Sequence, residues 1–304
     1  MSDIAIRPLV RVALSLLLLV VGAAFASRPV AFGQEKLKPE EVIAKHLEAV
    51  GAAEARAAVK NRVALGTVVA TFRSPLPGST AGRMVMASEG EKHLIGMVFD
   101  NTPDYPQEKL GFDGKDVSVS YVRPGRRSTL GEVFQAHKSL IKHGIIGGTL
   151  SSAWPLFAAS DKRGKIESSG IKKVGDRQAY ALKYLPRGGS DMEITLYFDA
   201  ETFQHLRTEY TRTIAAQMAR GGVGAPGRDG IGAASAGQRE SRYRMVEDFS
   251  EFRKEGALTL PHKYKLTLEI SMQNGSYKAE WDASFSQFSF NEQIDPNSFD
   301  VDGE

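Results

Sequence analysis

Tyr264-Lys265-Leu266-Thr267-Leu268-Glu269-Ile270-Ser271-Met272-Gln273-Asn274-Gly275-Ser276-Tyr277-Lys278-Ala279-Glu280-Trp281-Asp282-Ala283-Ser284-Phe285 is the stretch that decides the fold. Asn-Gly between two alternating runs marks a two-residue hairpin turn, because a type I′ turn needs positive φ at both central positions. With Asn274 and Gly275 at the tip, Met272 faces Tyr277, Ile270 faces Ala279, Leu268 faces Trp281, Leu266 faces Ala283 and Tyr264 faces Phe285. These ten residues are all apolar or aromatic. The intervening pairs, Ser271 with Lys278, Glu269 with Glu280, Thr267 with Asp282 and Lys265 with Ser284, are polar. Strand side chains alternate faces, so one side of the hairpin is wet and the other is an apolar wall. Such a wall needs a cover: a packed helix, a second sheet or a ligand.

Outward from the hairpin, the chain reads as strands broken by turn residues. Extended segments are predicted at 62–72, 82–89, 92–99, 108–112, 116–122, 165–173, 178–185, 192–198, 205–213 and 241–252, with punctuation such as Pro75-Leu76-Pro77-Gly78 and Asp113-Gly114-Lys115. No helical crossovers alternate with them. The pattern is mainly β (α+β): a single antiparallel domain of about eleven strands, an open or nearly closed barrel. Met192, Ile194, Leu196 and Phe198 alternate with polar or partly polar neighbours, giving a second strand with one apolar side.

Helices are expected in three places. Pro39-Glu40-Glu41 opens the first, with Val42, Ile43, Leu47 and Val50 on one face and Gly51 as the stop. A short alanine-rich helix follows between Ala52 and Lys60. Thr129, with Glu132 three residues on, suggests a capping box for a helix carrying Leu130, Val133, Phe134, Leu140 and Ile141 on one face. The next stretch, from Ile145 to Ala159 through Trp154, Leu156 and Phe157, is too apolar for an exposed loop. It is expected to be buried or to cover something.

The N-terminus has the form of a secretory leader. Arg7 and Arg11 precede fifteen largely apolar residues, Val12 to Ala26, that end in Ala24-Phe25-Ala26. Cleavage is placed after Ala26 (signal peptide 1–26, flexible mature N-terminus 27–36), or alternatively after Gly33; retention as an anchor is the other reading. The leader implies export to the periplasm. The chain has no cysteine, so no lipid can be attached at a cleavage-site thiol. Without the leader, 37 basic residues face 35 acidic ones, a balance that argues against a nucleic-acid partner.

Motifs for catalysis or cofactors are weak. Gly222-x-Gly224-x-x-Gly227 matches a dinucleotide fingerprint literally, but it lies in a Gly/Ala-rich loop, 214–238, with Pro226 where a helix would start. His137 and His143, six apart, would diverge by about 120° on one helix and make poor partners for a metal. Asp248 and Glu251 read as solvated charges around Phe249, and Arg123, Arg126 and Arg127 as a basic hairpin tip. No catalytic residue, cofactor or metal site is assigned.

Asp248-Phe249-Ser250-Glu251-Phe252, Gly256-x-Leu258-x-Leu260-Pro261, Gly147 to Leu156, Phe198 to Thr202 and Phe299-Asp300 together resemble the LolA/LolB superfamily of outer-membrane lipoprotein-sorting proteins, across roughly Leu37 to Val301. The resemblance implies one domain, 37–304, an unclosed β-barrel with helices on its concave face and an apolar cavity for acyl chains. Leu266, Leu268, Ile270, Trp281 and Phe285, joined by Ile194 and Leu196, are the candidate cavity wall. Val133, Phe134, Leu140, Trp154 and Leu156 are the candidate lid. The function expected is a non-catalytic periplasmic carrier or chaperone for acyl chains of lipoproteins or lipids, with inner- or outer-membrane proteins as possible partners. The alternatives are an envelope interaction module whose core is filled by its own helices, and an enzyme with a dispersed site. The glycine-rich loop departs from the family pattern, and no arginine is matched to a lid-latching residue.

Overall fold

The computed structural model describes residues 37–159, 162–214, 240–272 and 275–302. The leader, segment 27–36, all but the first residue of the Gly/Ala-rich stretch and Asn274 lie outside the described residues.

Twelve strands form one antiparallel sheet: β1 (Asn61–Ser74), β2 (Gly78–Glu89), β3 (Lys92–Val98), β4 (Gln107–Phe112), β5 (Val117–Val119), β6 (Lys165–Val174), β7 (Arg177–Leu185), β8 (Glu193–Asp199), β9 (His205–Ile214), β10 (Ser241–Glu255), β11 (Leu258–Met272) and β12 (Gly275–Phe290). Their order is β5-β4-β3-β2-β1-β12-β11-β10-β9-β8-β7-β6, so the sheet is not closed and β5 and β6 are its edges. Helices α1 (Pro39–Val50) and α2 (Ala53–Ala58) precede it. Between the edge strands run α3 (Thr129–Ala136), α4 (Lys138–Lys142) and two single 3-10 turns, Gly148–Leu150 and Pro155–Phe157.

The sheet curls strongly around this segment. A Cβ on Gly147 would lie 3.6 Å from Met86 on β2 and 4.0 Å from Ile95 on β3, and one on the next residue, Gly148, 2.8 Å from His205 on β9 and 3.0 Å from Phe249 on β10. Six strand spacings separate β3 from β9, ~29 Å along a flat sheet at ~4.8 Å each. Two consecutive residues can touch both only if the sheet wraps round them.

Four local expectations are corrected. The hairpin register is shifted by two: Ile270 pairs with Tyr277, Leu268 with Ala279, Leu266 with Trp281 and Tyr264 with Ala283, while Met272 faces Gly275. A shift of two keeps every side chain on its face, so the wall survives. The outer pairs explain the choice, since Glu269 now faces Lys278 and Lys265 faces Asp282, whereas the expected register sets Glu269 against Glu280. The wall also ends sooner, with Met272 51% exposed and Tyr277 half-buried. Finally, Ser128, not Thr129, caps α3, its Oγ accepting the Gly131 amide at 2.8 Å, and the expected single helix breaks at His137 into α3 and α4.

Candidate functional site: a latched lid on an apolar wall

The expected wall residues all lie on the inner face. Leu196, Thr208, Glu247, Leu266, Trp281 and Ala70 form one cross-strand row from β8 to β1. Ile194, Leu268, Ile270 and Phe285 fill the neighbouring rows, and all seven wall residues are buried. Val133, Phe134, Leu140, Trp154 and Leu156 are buried too and join the wall in one continuous apolar cluster. Burying each such side chain contributes roughly 1.5–3 kcal/mol. In this closed arrangement the 120–158 segment is packed onto the wall.

What holds the segment down is polar. Arg62, Ser88 and His93 sit side by side on β1, β2 and β3. Arg62 donates to the Thr149 carbonyl, and the Ser152 amide donates to Ser88 Oγ at 2.8 Å. Arg62 is buried without a carboxylate partner among the described residues, and burial lowers its pKa to about 10, so it remains a cation at neutral pH. Burial also lowers the His93 pKa to about 4.

Two buried carboxylates hold the segment at other points. Glu247, in the middle of the wall row, accepts the Gly147 amide at 2.7 Å, Tyr264 Oη at 2.8 Å and Tyr210 Oη at 2.6 Å. Glu108 Oε2 accepts from Tyr105 Oη at 2.8 Å and from Ser128, the cap of α3. Tyr105 Oη in turn accepts Trp281 Nε1 at 2.9 Å, so a relay runs from the wall tryptophan to the start of the lid. Burial raises both carboxyl pKa values to about 7, against the pull of their hydroxyl and amide donors. Glu108 Oε1, Arg62 Nε, Thr149 Oγ1, Ser152 Oγ, Trp154 Nε1 and His205 Nδ1 are buried with no hydrogen-bond partner among the described residues, all at this seam. An unpaired buried polar atom costs about 1–3 kcal/mol, so these atoms weaken the contact between the segment and the wall.

At the far end, α1 brings His46 within 4.7 Å of the Phe198 ring and 6.2 Å of His205, centroid to centroid. Trp154 stacks on His205 at 4.9 Å. Burial lowers the pKa of His46 to about 4 and holds that of His205 well below the usual imidazole range, so both rings are neutral packing units. His137 lies 2.7 Å from Asp191 Oδ2. Among the described residues no group of three metal-ligating side chains comes together.

The Gly222 motif lies outside the described residues. Asp248 pairs with Arg207 and Glu251 with Arg253, both as surface ion pairs. In the basic turn, Arg123 pairs with Asp104, and Arg127 donates to the Val119 carbonyl and covers the Tyr121 ring.

Sequence reading missed Arg62, Glu108 and Glu247. A signal exists, namely the phase of alternation: Arg62 is in step with Ala64, Val68 and Ala70, Glu108 with Leu110 and Phe112, and Glu247 with Met245 and Phe249, all buried. A charge in the apolar phase of a strand marks a buried polar contact.

No family model matches the chain, and no curated protein matches it. Among solved structures it is similar to a LolA superfamily protein from Nitrosomonas europaea, at 11% identity and TM-score 0.44 over 86% of this chain and 97% of that one. A domain from Vibrio parahaemolyticus, named as an outer membrane lipoprotein-sorting protein, gives 11% identity and TM-score 0.42 over 85% and 94%. A DUF1329 family protein from Desulfovibrio piger gives 11% and 0.43 over 86% and 96%. The functional reading rests on this chain's own residues.

Proposed function

We propose that this protein is an exported, non-catalytic carrier that shields acyl chains of a lipid or lipoprotein against the wall formed by Ile194, Leu196, Leu266, Leu268, Ile270, Trp281 and Phe285. The guest enters when the lid, with Val133, Phe134, Leu140, Trp154 and Leu156, is displaced. The observation that carries this reading is the polar seam between lid and wall. A permanent core gains most from apolar contact throughout, whereas this one interposes Arg62, Glu108 and Glu247 between two apolar surfaces. Polar latches lower the cost of parting the surfaces, because water can take over their hydrogen bonds once the lid lifts. The guest's differential affinity for the open form then drives the exchange.

The chain's lack of cysteine permits a direct test. Ser88→Cys and Ser152→Cys stand where a backbone amide meets a side chain at 2.8 Å. Oxidised, the pair locks the lid; reduced, it frees it. Native mass spectrometry of protein incubated with a fatty acid is expected to find the guest in the reduced form and to lose it in the oxidised form. Equal loading of both forms rules out lid-controlled entry.

The tight packing of wall against lid favours a second reading, an envelope interaction module with a self-filled core. Protein extracted from membranes without any bound amphiphile, and unable to load one when reduced, selects that reading.

A further inference from the structure

A groove of about 520 Å³ opens at the end of α4, bounded by the residues preceding β6 and those following β7. Its floor is aromatic, with Phe112, Trp154, Phe157 and Tyr184. Lys142, Lys162 and Arg187 stand on its rim, all exposed, and none has a carboxylate partner among the described residues. Half-buried His143 lies between them and the loop at Gly188, where a Cβ would come 3.3 Å from its Nε2. Glu91 is the one acid among the described lining residues.

Positive charge continues beside the groove. Arg163 donates to the Ala158 carbonyl at 2.7 Å and Arg56 to the Leu47 carbonyl at 2.6 Å. Neither meets a carboxylate among the described residues, and after burial their mutual repulsion is the next cause lowering the pKa of Arg163. Basic and acidic residues nearly balance over the whole chain, so this one-sided grouping is local. Trp154 belongs to the groove floor and to the lid at once, which joins a charged mouth to an apolar interior.

We propose that this groove binds the anionic headgroup of an amphiphile, with a phosphate-type group between Lys142, Lys162 and Arg187 and the adjoining chain against Trp154 and Phe157. The proposal rests on the amphiphile reading above and names the class of guest. An exposed cationic rim attracts a negative headgroup at a smaller desolvation cost than a buried pair, and apolar rings below reward the first carbons of its chain.

The test titrates the full mature chain by calorimetry with lysophosphatidylglycerol, lysophosphatidylcholine and inorganic phosphate, each below the concentration at which micelles form. Wild type is expected to favour the glycerol lipid by about tenfold at low salt. Lys142→Gln/Lys162→Gln/Arg187→Gln, whose folding is checked by its melting curve, is expected to lose the preference while still binding the choline lipid. Equal affinity of wild type for both lipids, or a preference retained in the triple variant, overturns the headgroup site and leaves the carrier reading standing. Phosphate binding as tight as the glycerol lipid makes this a site for a free anion and overturns the proposal. If neither lipid binds, both readings fail together.

Discussion

The inner and outer faces of β10, β11 and β12 treat a carboxylate in opposite ways. On the outer face Arg244 bridges Glu209 at 2.6 Å and Glu269 at 3.1 Å, and Lys278 reaches Glu269 at 2.7 Å. The Lys278 hydrogen bond holds Glu269 below the usual carboxylate range. On the inner face Glu247 meets only hydroxyls and an amide, and burial pushes it up to about 7. Charges outside are screened by water and contribute little to stability; groups inside are few and each bears on whether the lid stays down. The difference places the buried packing on the inner face and the solvated charge on the outer.

The largest contrast is expected from truncating one residue on each face. Leu268→Ala should cost roughly 2–5 kcal/mol in urea unfolding, and Lys278→Ala less than about 1 kcal/mol. Comparable losses would erase the distinction between the faces.

Next is Gly148→Ala, which puts a Cβ 2.8 Å from His205 Nδ1 at a residue with φ +50°. The expected loss is about 1–3 kcal/mol. Because it acts at the lid, hydrogen exchange should quicken at Thr149 to Trp154 more than in β10 to β12; uniform quickening would argue against a separable lid.

The pH response sharpens the comparison further. Glu247 titrates near 7 when folded and near 4.3 unfolded, so between those values the folded chain holds more protons. Its contribution is fully present below the unfolded value and is lost as pH rises through about 7. His46 and His93, lowered to about 4, act in the opposite sense, losing stability as pH falls from about 6.5. Glu247→Gln isolates the carboxylate. Its stability relative to wild type should improve by on the order of 1–3 kcal/mol between pH 5 and 7.5, read from melting curves. A constant difference would mean that Glu247 does not take up a proton on folding.

The smallest effect belongs to the outer network. Arg244→Ala should cost no more than about 1 kcal/mol, and the loss should shrink in 0.5 M salt. A larger, salt-independent loss would show that the outer ladder is structural in its own right.

The strands were legible because each alternates over many residues, and the wall was legible because ten apolar positions of one hairpin share a phase. The register was not, since a slip of two preserves the phase, and the outer pairs Glu269 with Lys278 and Lys265 with Asp282 break the tie. The cap of α3 was misplaced by one residue because Ser128 and Thr129 are chemically alike and only Ser128 also reaches Glu108. The latch was missed because Arg62, Glu108 and Glu247 have the composition of surface charges; position within the alternation, not residue type, gives them away.

The lid is also the stretch of chain that leads from edge strand β5 to edge strand β6. Its two ends are therefore tied to the two edges of the sheet, and a displacement of its middle pulls on both. A guest of the kind proposed should therefore register at a distance, as a change in amide exchange along β6, without touching that strand.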